Sequence, residues 1–252
     1  MAAVEWFEKW FDSPYYPVLY HQRDEAEADA FVDRLINHLD PLPAGSRLLD
    51  IACGRGRHAQ HLASKGFDVT GIDLSPRSIE AAQQYASDTL HFYLHDMRLP
   101  FWVNYFDYAF NFFTSFGYFR TERENYNAIR TMANALKPGG TLVIDYLNTH
   151  YTEDNLQYTQ EEEYRGVKFY ITKWFDETHF HKKIEIMDEQ LSEPLVFTEQ
   201  VAKYSLGDMT DMLAFHNLQV QEVYGDYFFG HYDVKKSPRM IVLAKKFLPP
   251  NS

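Results

Sequence analysis

Short apolar runs alternate with segments of helical period from about residue 24 to residue 149. In residues 24–39, Ala28, Phe31, Val32, Leu35 and Leu39 recur at helical spacing. Asp24 is a candidate cap, Glu27 stands three residues on, and Pro41 and Pro43 stop the pattern. Arg47–Ala52 reads as a short strand ending in a glycine-rich turn, Arg57–Lys65 as a helix stopped at Gly66, and Phe67–Asp73 as a second strand. Ser75-Pro76 opens a helix with proline in its first turn. Leu90–His95, Phe106–Phe113 and Thr141–Leu147 are further strands, and Glu122–Leu136 is a helix ended by Lys137-Pro138-Gly139-Gly140. Strands alternating with helices predict a parallel sheet covered on both faces, an α/β doubly wound, Rossmann-like fold.

Residues 150–204 change period. Val167, Phe169, Ile171 and Lys173 alternate with Lys168, Tyr170, Thr172 and Trp174, and similar runs cover His179–Met187 and Val196–Tyr204. An antiparallel meander of three strands inserted into the α/β unit is expected, with one face toward a cleft and the other available for a homodimer. The run Glu161-Glu162-Glu163 reads as a solvated charge cluster. The α/β pattern then resumes with a helix over Gly207–His216 and strands over Leu218–Tyr224 and Met240–Lys245. The expected organisation is an N-terminal helical lid over 1–44, a ligand-binding unit over 45–149 and 205–252, and the β insertion over 150–204.

Charge and composition narrow the classes. Twenty-four basic against 36 acidic residues give a net charge of −12, and no Lys/Arg cluster stands out. That balance disfavours nucleic acid and anionic membranes, which need a basic surface, and suits a neutral or cationic small molecule. The single cysteine, Cys53, excludes an internal disulfide and fits a cytoplasmic setting. The first residues do not form a signal peptide, and no run approaches the length of a membrane span. Aromatic residues make up 17% of the chain, more than a core needs, so an aromatic-lined cleft or interface is expected.

The chemistry concentrates after the first strand, in Asp50-Ile51-Ala52-Cys53-Gly54-Arg55-Gly56-Arg57-His58-Ala59. Gly54 and Gly56 allow a tight turn and close approach of backbone to ligand. Gly54-x-Gly56-x-x-Ala59 alone also satisfies a dinucleotide fingerprint, which would make a nicotinamide dehydrogenase the rival reading. Asp50 opposes that rival, because an acid there repels a pyrophosphate at the helix N-terminus and favours a cation such as the ammonium of a methionyl group. Asp73 closes the second strand, where a carboxylate takes both ribose hydroxyls. Asp96-Met97 follows the third strand, where the acid accepts from an adenine amino group and Met97 covers the ring.

These motifs, with Gly71-Ile72-Asp73-Leu74-Ser75, His95-Asp96-Met97 and Leu136-Lys137-Pro138-Gly139-Gly140, resemble the ordered motifs of class I S-adenosylmethionine-dependent methyltransferases over about residues 20–245. The resemblance implies a seven-stranded sheet with the last strand antiparallel and S-adenosylmethionine as cofactor. Ala52 stands where glycine is commoner in that family. Asn111-Phe112-Phe113-Thr114-Ser115-Phe116-Gly117-Tyr118 closes the fourth strand and resembles the equivalent loop of small-molecule N-methyltransferases of the amino-sugar and glycine type. Tyr15-Tyr16-Pro17-Val18-Leu19-Tyr20 and Arg23 resemble the aromatic lid of that group. The resemblance thus implies cofactor contacts from Tyr20, Arg23, Asp50, Ala52, Gly54, Gly56, Asp73, Leu74, Asp96, Met97 and Asn111. Tyr20, Tyr118 and His231 are the candidate catalytic residues, and His150 is a further candidate base. Asp145 and Asn148 are weighed as metal ligands and set aside, so no metal is expected. Methylation of a protein side chain and a non-catalytic binding role remain as alternatives.

Overall fold

The computed structural model describes residues 5–21, 25–39 and 42–247. Asp24 and Arg23 therefore lie outside the described residues, as do the ends of the chain. The chain opens with helices α1 (Trp6–Phe11), α2 (Tyr16–Leu19) and α3 (Glu25–His38). Next come β1 (Arg47–Ile51), α4 (Arg57–Ser64), β2 (Asp68–Asp73), α5 (Pro76–Gln83), β3 (Leu90–Leu94), β4 (Phe106–Asn111), α6 (Glu122–Ala135) and β5 (Leu136–Leu147). Helix α7 (Thr149–Asp154) leads into β6 (Thr159–Tyr164), β7 (Val167–Phe175), β8 (His179–Met187) and β9 (Leu195–Ala202). The last elements are α8 (Leu206–Phe215), β10 (Leu218–Tyr224) and β11 (Arg239–Lys246).

Seven strands form one sheet in the order β10-β11-β5-β4-β1-β2-β3. The central strands pair in parallel, and β11, the last strand, runs antiparallel between β5 and β10, as expected. Successive residues of each strand feed opposite layers, because side chains alternate across the pleat. Leu142, Ile144 and Tyr146 of β5 and Met240, Val242 and Ala244 of β11 pack with α6 and α8. Val143, Ile241 and Leu243 turn the other way and pack with α3, α4 and α5. The sequence order reverses direction between β1 and β4, so the crevice at their carboxyl ends is the expected ligand site of an open α/β sheet.

Two expectations are corrected. β5 starts at Leu136 rather than Thr141. Leu136 pairs with Phe106 and Thr141 with Tyr108, so Lys137-Pro138-Gly139-Gly140 is an excursion inside the strand, with Gly139 at φ +80°. The insertion has four strands, not three, in the order β6-β7-β8-β9. The extra one contains Glu161-Glu162-Glu163. It is an edge strand held by backbone pairing to β7, with Glu163 3.8 Å from Lys168. Charged side chains on such an edge guard it against pairing with other chains.

The inner face of this second sheet packs on the N-terminal helices. Val167, Phe169, Ile171, Ile184 and Ile186 form a third core with Trp10 and Leu19. Trp10 and Phe197 lie 4.8 Å apart, and the His21 ring stacks on Tyr164. The outer face carries Lys168, Thr172, Lys183 and Glu185 beside Tyr170 and Trp174.

Candidate active site

A cleft of about 1060 Å³ opens at the carboxyl ends of β1 to β4. Its floor is the glycine loop. One wall is the loop after β4, and the opposite wall comes from α1 and α2, with Phe7, Phe11, Tyr16 and Tyr20 on the lining.

The floor depends on unusual backbone. Ala52, Gly54 and Gly56 all have positive φ, at +61°, +56° and +79°. A Cβ on Gly56 would lie 2.5 Å from the Phe92 ring, so only glycine lets α4 start against the sheet. Ala52 holds a left-handed conformation despite its Cβ, which accounts physically for a glycine preference at that place.

Three acids sit on this floor. Asp50 is 1% exposed, and its Oδ2 is buried with no hydrogen-bond partner. Burial pushes its carboxyl up to about 7. The charge of Asp73 adds to the rise, and the Ala59 N–H and Arg57 oppose it. A buried carboxylate oxygen without a donor, on the wall of a cleft, is a place for a cationic ligand group. Asp73 accepts from the Gly54 N–H through Oδ2 and from the Ser75 N–H through Oδ1, each at 2.8 Å. Burial also raises its pKa, against those backbone donors. Asp96 is clamped by Arg98: Nη2 lies 2.7 Å from Oδ2, and Nε reaches both oxygens. Arg98 in turn bonds Glu124 at 2.8 Å and lies over Phe119. The Arg98 backbone N–H also donates to Asp96 Oδ1, at 2.8 Å, so the Asp96 carboxylate is fixed in direction.

Asp12 joins the α1–α2 wall to the floor, accepting from Ser75 Oγ at 2.7 Å and the Arg77 N–H at 3.0 Å. On the opposite wall, Phe113 and Thr114 are consecutive residues in left-handed backbone, at φ +55° and +56°. Fully buried Asp145 secures them. Its Oδ2 accepts from the Phe113 N–H, while Arg239 bonds both Asp145 Oδ1 and the Thr114 hydroxyl. Burial pulls the Arg239 pKa down, but the Asp145 charge outweighs it and the net shift is upward. Tyr118 packs edge-on to Phe11, 5.3 Å away, closing the aromatic wall.

The cleft brings together Tyr20, Asp50, Ala52, Gly54, Asp73, Leu74, Asp96, Met97 and Tyr118. Gly56 shapes the turn without lining it. Asn111 does not reach the cleft: it is fully buried, and its Nδ2 donates to the Ile51 carbonyl, bracing β1 from behind. His231 is exposed, in a bridge with Tyr224 outside the cleft, and His150 is exposed outside it too. Both follow strand ends in sequence, yet their chain segments turn away from β1. Asn148 donates to the carbonyls of Asp233, Val234 and Ser237, which ties down a loop. Among the described residues no group of three His, Cys, Asp or Glu is arranged to hold a metal. The sequence reading missed His58, which lines the cleft and stacks on Phe113 at 5.1 Å, and also His21 and Thr114. A histidine in the first turn of the helix after the glycines was the available signal for the first.

The family described as "Methyltransferase domain" matches residues 48–140, the segment that builds this floor. By this likeness residues 48–140 form a methyltransferase domain. A dTDP-3-amino-3,4,6-trideoxy-alpha-D-glucopyranose N,N-dimethyltransferase of Streptomyces venezuelae is 36% identical over 104 residues, covering 41% of this chain and 43% of that protein. A tRNA U34 carboxymethyltransferase of a Geobacter species is 30% identical over 153 residues, covering 58% and 46%. The chain thus spans under half the length of these curated relatives. Its fold matches that of an S-adenosylmethionine-dependent methyltransferase from Clostridium acetobutylicum, with a TM-score of 0.74 at 18% identity over 92% of this chain and 96% of that one. Among the described residues no helix is long and apolar enough to cross a membrane.

Proposed function

We propose that this protein transfers a methyl group from S-adenosylmethionine to the nitrogen of a small-molecule acceptor. The observation that carries the reading is the aromatic wall of α1 and α2 standing across the cleft from the glycine loop, tied to it by Asp12. Such a wall encloses a small acceptor. The similarity of Tyr15–Tyr20 and of the Ser115–Tyr118 loop to amino-sugar and glycine N-methyltransferases supports nitrogen, as does the N,N-dimethyltransferase relative.

In this reading Asp50 receives the methionyl ammonium, Asp73 the ribose hydroxyls and Asp96 the adenine amino group, with Leu74 and Met97 against the adenosine. Tyr20 and Tyr118 face the acceptor. The bound cofactor supplies an already activated methyl group, so the protein's contribution is placement. Holding two reactants in near-attack geometry supplies on the order of 7–11 kcal/mol. Phe11, Tyr16, Tyr20 and Tyr118 exclude water and favour a cationic centre through their ring faces. His58 and His21 line the same cleft and are placed to take the acceptor's proton in place of His231.

The tRNA-modifying relative motivates a second reading, which the net charge of −12 disfavours. Incubation with S-adenosylmethionine and either a panel of amino sugars, amino acids and phenols or unmodified tRNA separates the two. Homocysteine-nucleoside release with an amine sustains the proposal. Turnover with tRNA alone, or with no acceptor but a phenol, overturns it.

A further inference from the structure

On β8 and β9 the inner face of the four-stranded sheet is apolar except at one rung. Along β8 it reads Phe180, Lys182, Ile184 and Ile186, and along β9 Leu195, Phe197, Glu199 and Val201, with Lys182 opposite Glu199. The two side chains are only 17% and 10% exposed, and their charged atoms lie 3.8 Å apart. An ion pair removed from water gains little over an apolar pair of similar volume, so its position calls for a use.

Both groups point at the N-terminal helices. Lys182 lies 4.6 Å over the Tyr20 ring and donates to the Tyr20 hydroxyl. That hydroxyl donates to Glu199 Oε1 at 3.1 Å, and the same oxygen accepts from the Trp10 indole N–H. Tyr20 also lines the cleft. A phenol has one proton to give. With that proton committed to Glu199, Tyr20 meets a cleft ligand as an acceptor only.

We propose that Lys182 and Glu199 are positioning residues which hold the Tyr20 hydroxyl as a hydrogen-bond acceptor toward the N–H of the nitrogen that receives the methyl group. This rests on the reading above, in which Tyr20 faces the acceptor. An N–H held by Tyr20 turns the nitrogen lone pair toward the methyl carbon. The inserted sheet thereby takes part in the reaction through a lid residue, without lining the cleft at these two positions.

Sinefungin, in which an amine-bearing carbon replaces the sulfonium and its methyl, places an ammonium where Tyr20 would accept, and S-adenosylhomocysteine lacks that group. Calorimetric affinities for both should be measured on the full chain, with melting temperatures to report folding. Tyr20→Phe, Glu199→Gln and Lys182→Met should each weaken sinefungin about tenfold, the size of one charge-assisted hydrogen bond, and leave S-adenosylhomocysteine within about twofold. Lys182→Arg should restore most of the loss. In a Tyr20→Phe background the other two substitutions should have no further effect. Equal losses for both ligands, or losses that persist in that background, overturn the proposal. If Lys182→Met lowers the melting temperature, the isosteric Glu199→Gln carries the test. If Tyr20→Phe itself leaves the sinefungin preference intact, the placement of Tyr20 is wrong. If only Tyr20→Phe reduces it, the positioning role alone is wrong.

Discussion

Arg239 Nη2 lies 2.7 Å from Asp145 Oδ1, an ion pair whose acid is fully buried beneath the loop after β4. The pair holds Phe113 and Thr114 in a backbone conformation that costs of order 1–3 kcal/mol per residue, so one wall of the cleft stays rigid although it is strained.

Removing one partner should therefore be severe. Asp145→Asn or Arg239→Met should lower the unfolding free energy by about 3–5 kcal/mol, read from urea denaturation, because an uncompensated buried charge or dipole is left. Cofactor affinity should fall less than methyl-transfer rate, since in the proposed function this wall faces the acceptor. A loss under 1 kcal/mol would show that the loop does not depend on the pair.

Asp50 gives a pH signature. With its pKa raised to about 7 in the ligand-free fold, against roughly 3.9 in an unfolded chain, the folded state holds a proton that the unfolded state has lost between those values. Stability from this group is therefore greatest toward the acid end of that window and declines as pH rises to about 7. A cationic ammonium placed beside Asp50 reverses the preference. S-adenosylhomocysteine binding should release a proton near pH 7 and tighten as pH rises through 7. Calorimetry in buffers of different ionisation enthalpy measures the release, and Asp50→Asn should abolish it.

Asp73 supports the loop through the Gly54 and Ser75 N–H groups, and in the proposed function it also holds the ribose. Asp73→Ala should weaken S-adenosylhomocysteine by roughly tenfold to a hundredfold, the worth of hydrogen bonds to a charged group. It should also loosen the Gly54 and Ser75 N–H groups, seen as faster amide exchange at both. Unchanged affinity would mean that the end of β2 does not meet the ribose.

Ala52→Gly removes a Cβ from a left-handed residue. Relief of about 1–2 kcal/mol exceeds the roughly 0.5–1 kcal/mol entropic cost of glycine, so a gain of about 0.5–1 kcal/mol in unfolding free energy is expected. Destabilisation by chemical denaturation would contradict the strain argument.

The parts of this site that were legible in the sequence are those where backbone chemistry writes itself into residue type. Gly54, Gly56, Asp73 and the Ser75-Pro76 helix start each answer a local demand of the turn or cap. β6 was not legible because an edge strand with one neighbour needs no apolar face, so Glu161, Glu162 and Glu163 gave no hydrophobic period. Asn111 and His231 were misplaced for a related reason. A strand end fixes where the backbone goes, but which way a polar side chain turns depends on distant partners, here the Ile51 carbonyl and the loop beside Tyr224. The Lys182–Glu199 rung was invisible until register set the two opposite each other.

The central claim is that the cleft above the glycine loop binds S-adenosylmethionine through Asp50 and Asp73. Thermal unfolding with S-adenosylhomocysteine and, separately, NAD tests it directly. At a hundredfold excess over the dissociation constant, S-adenosylhomocysteine should add about 2.7 kcal/mol and raise the midpoint by roughly 5–10 °C, with NAD leaving it unchanged. A rise with NAD and none with S-adenosylhomocysteine would contradict the account.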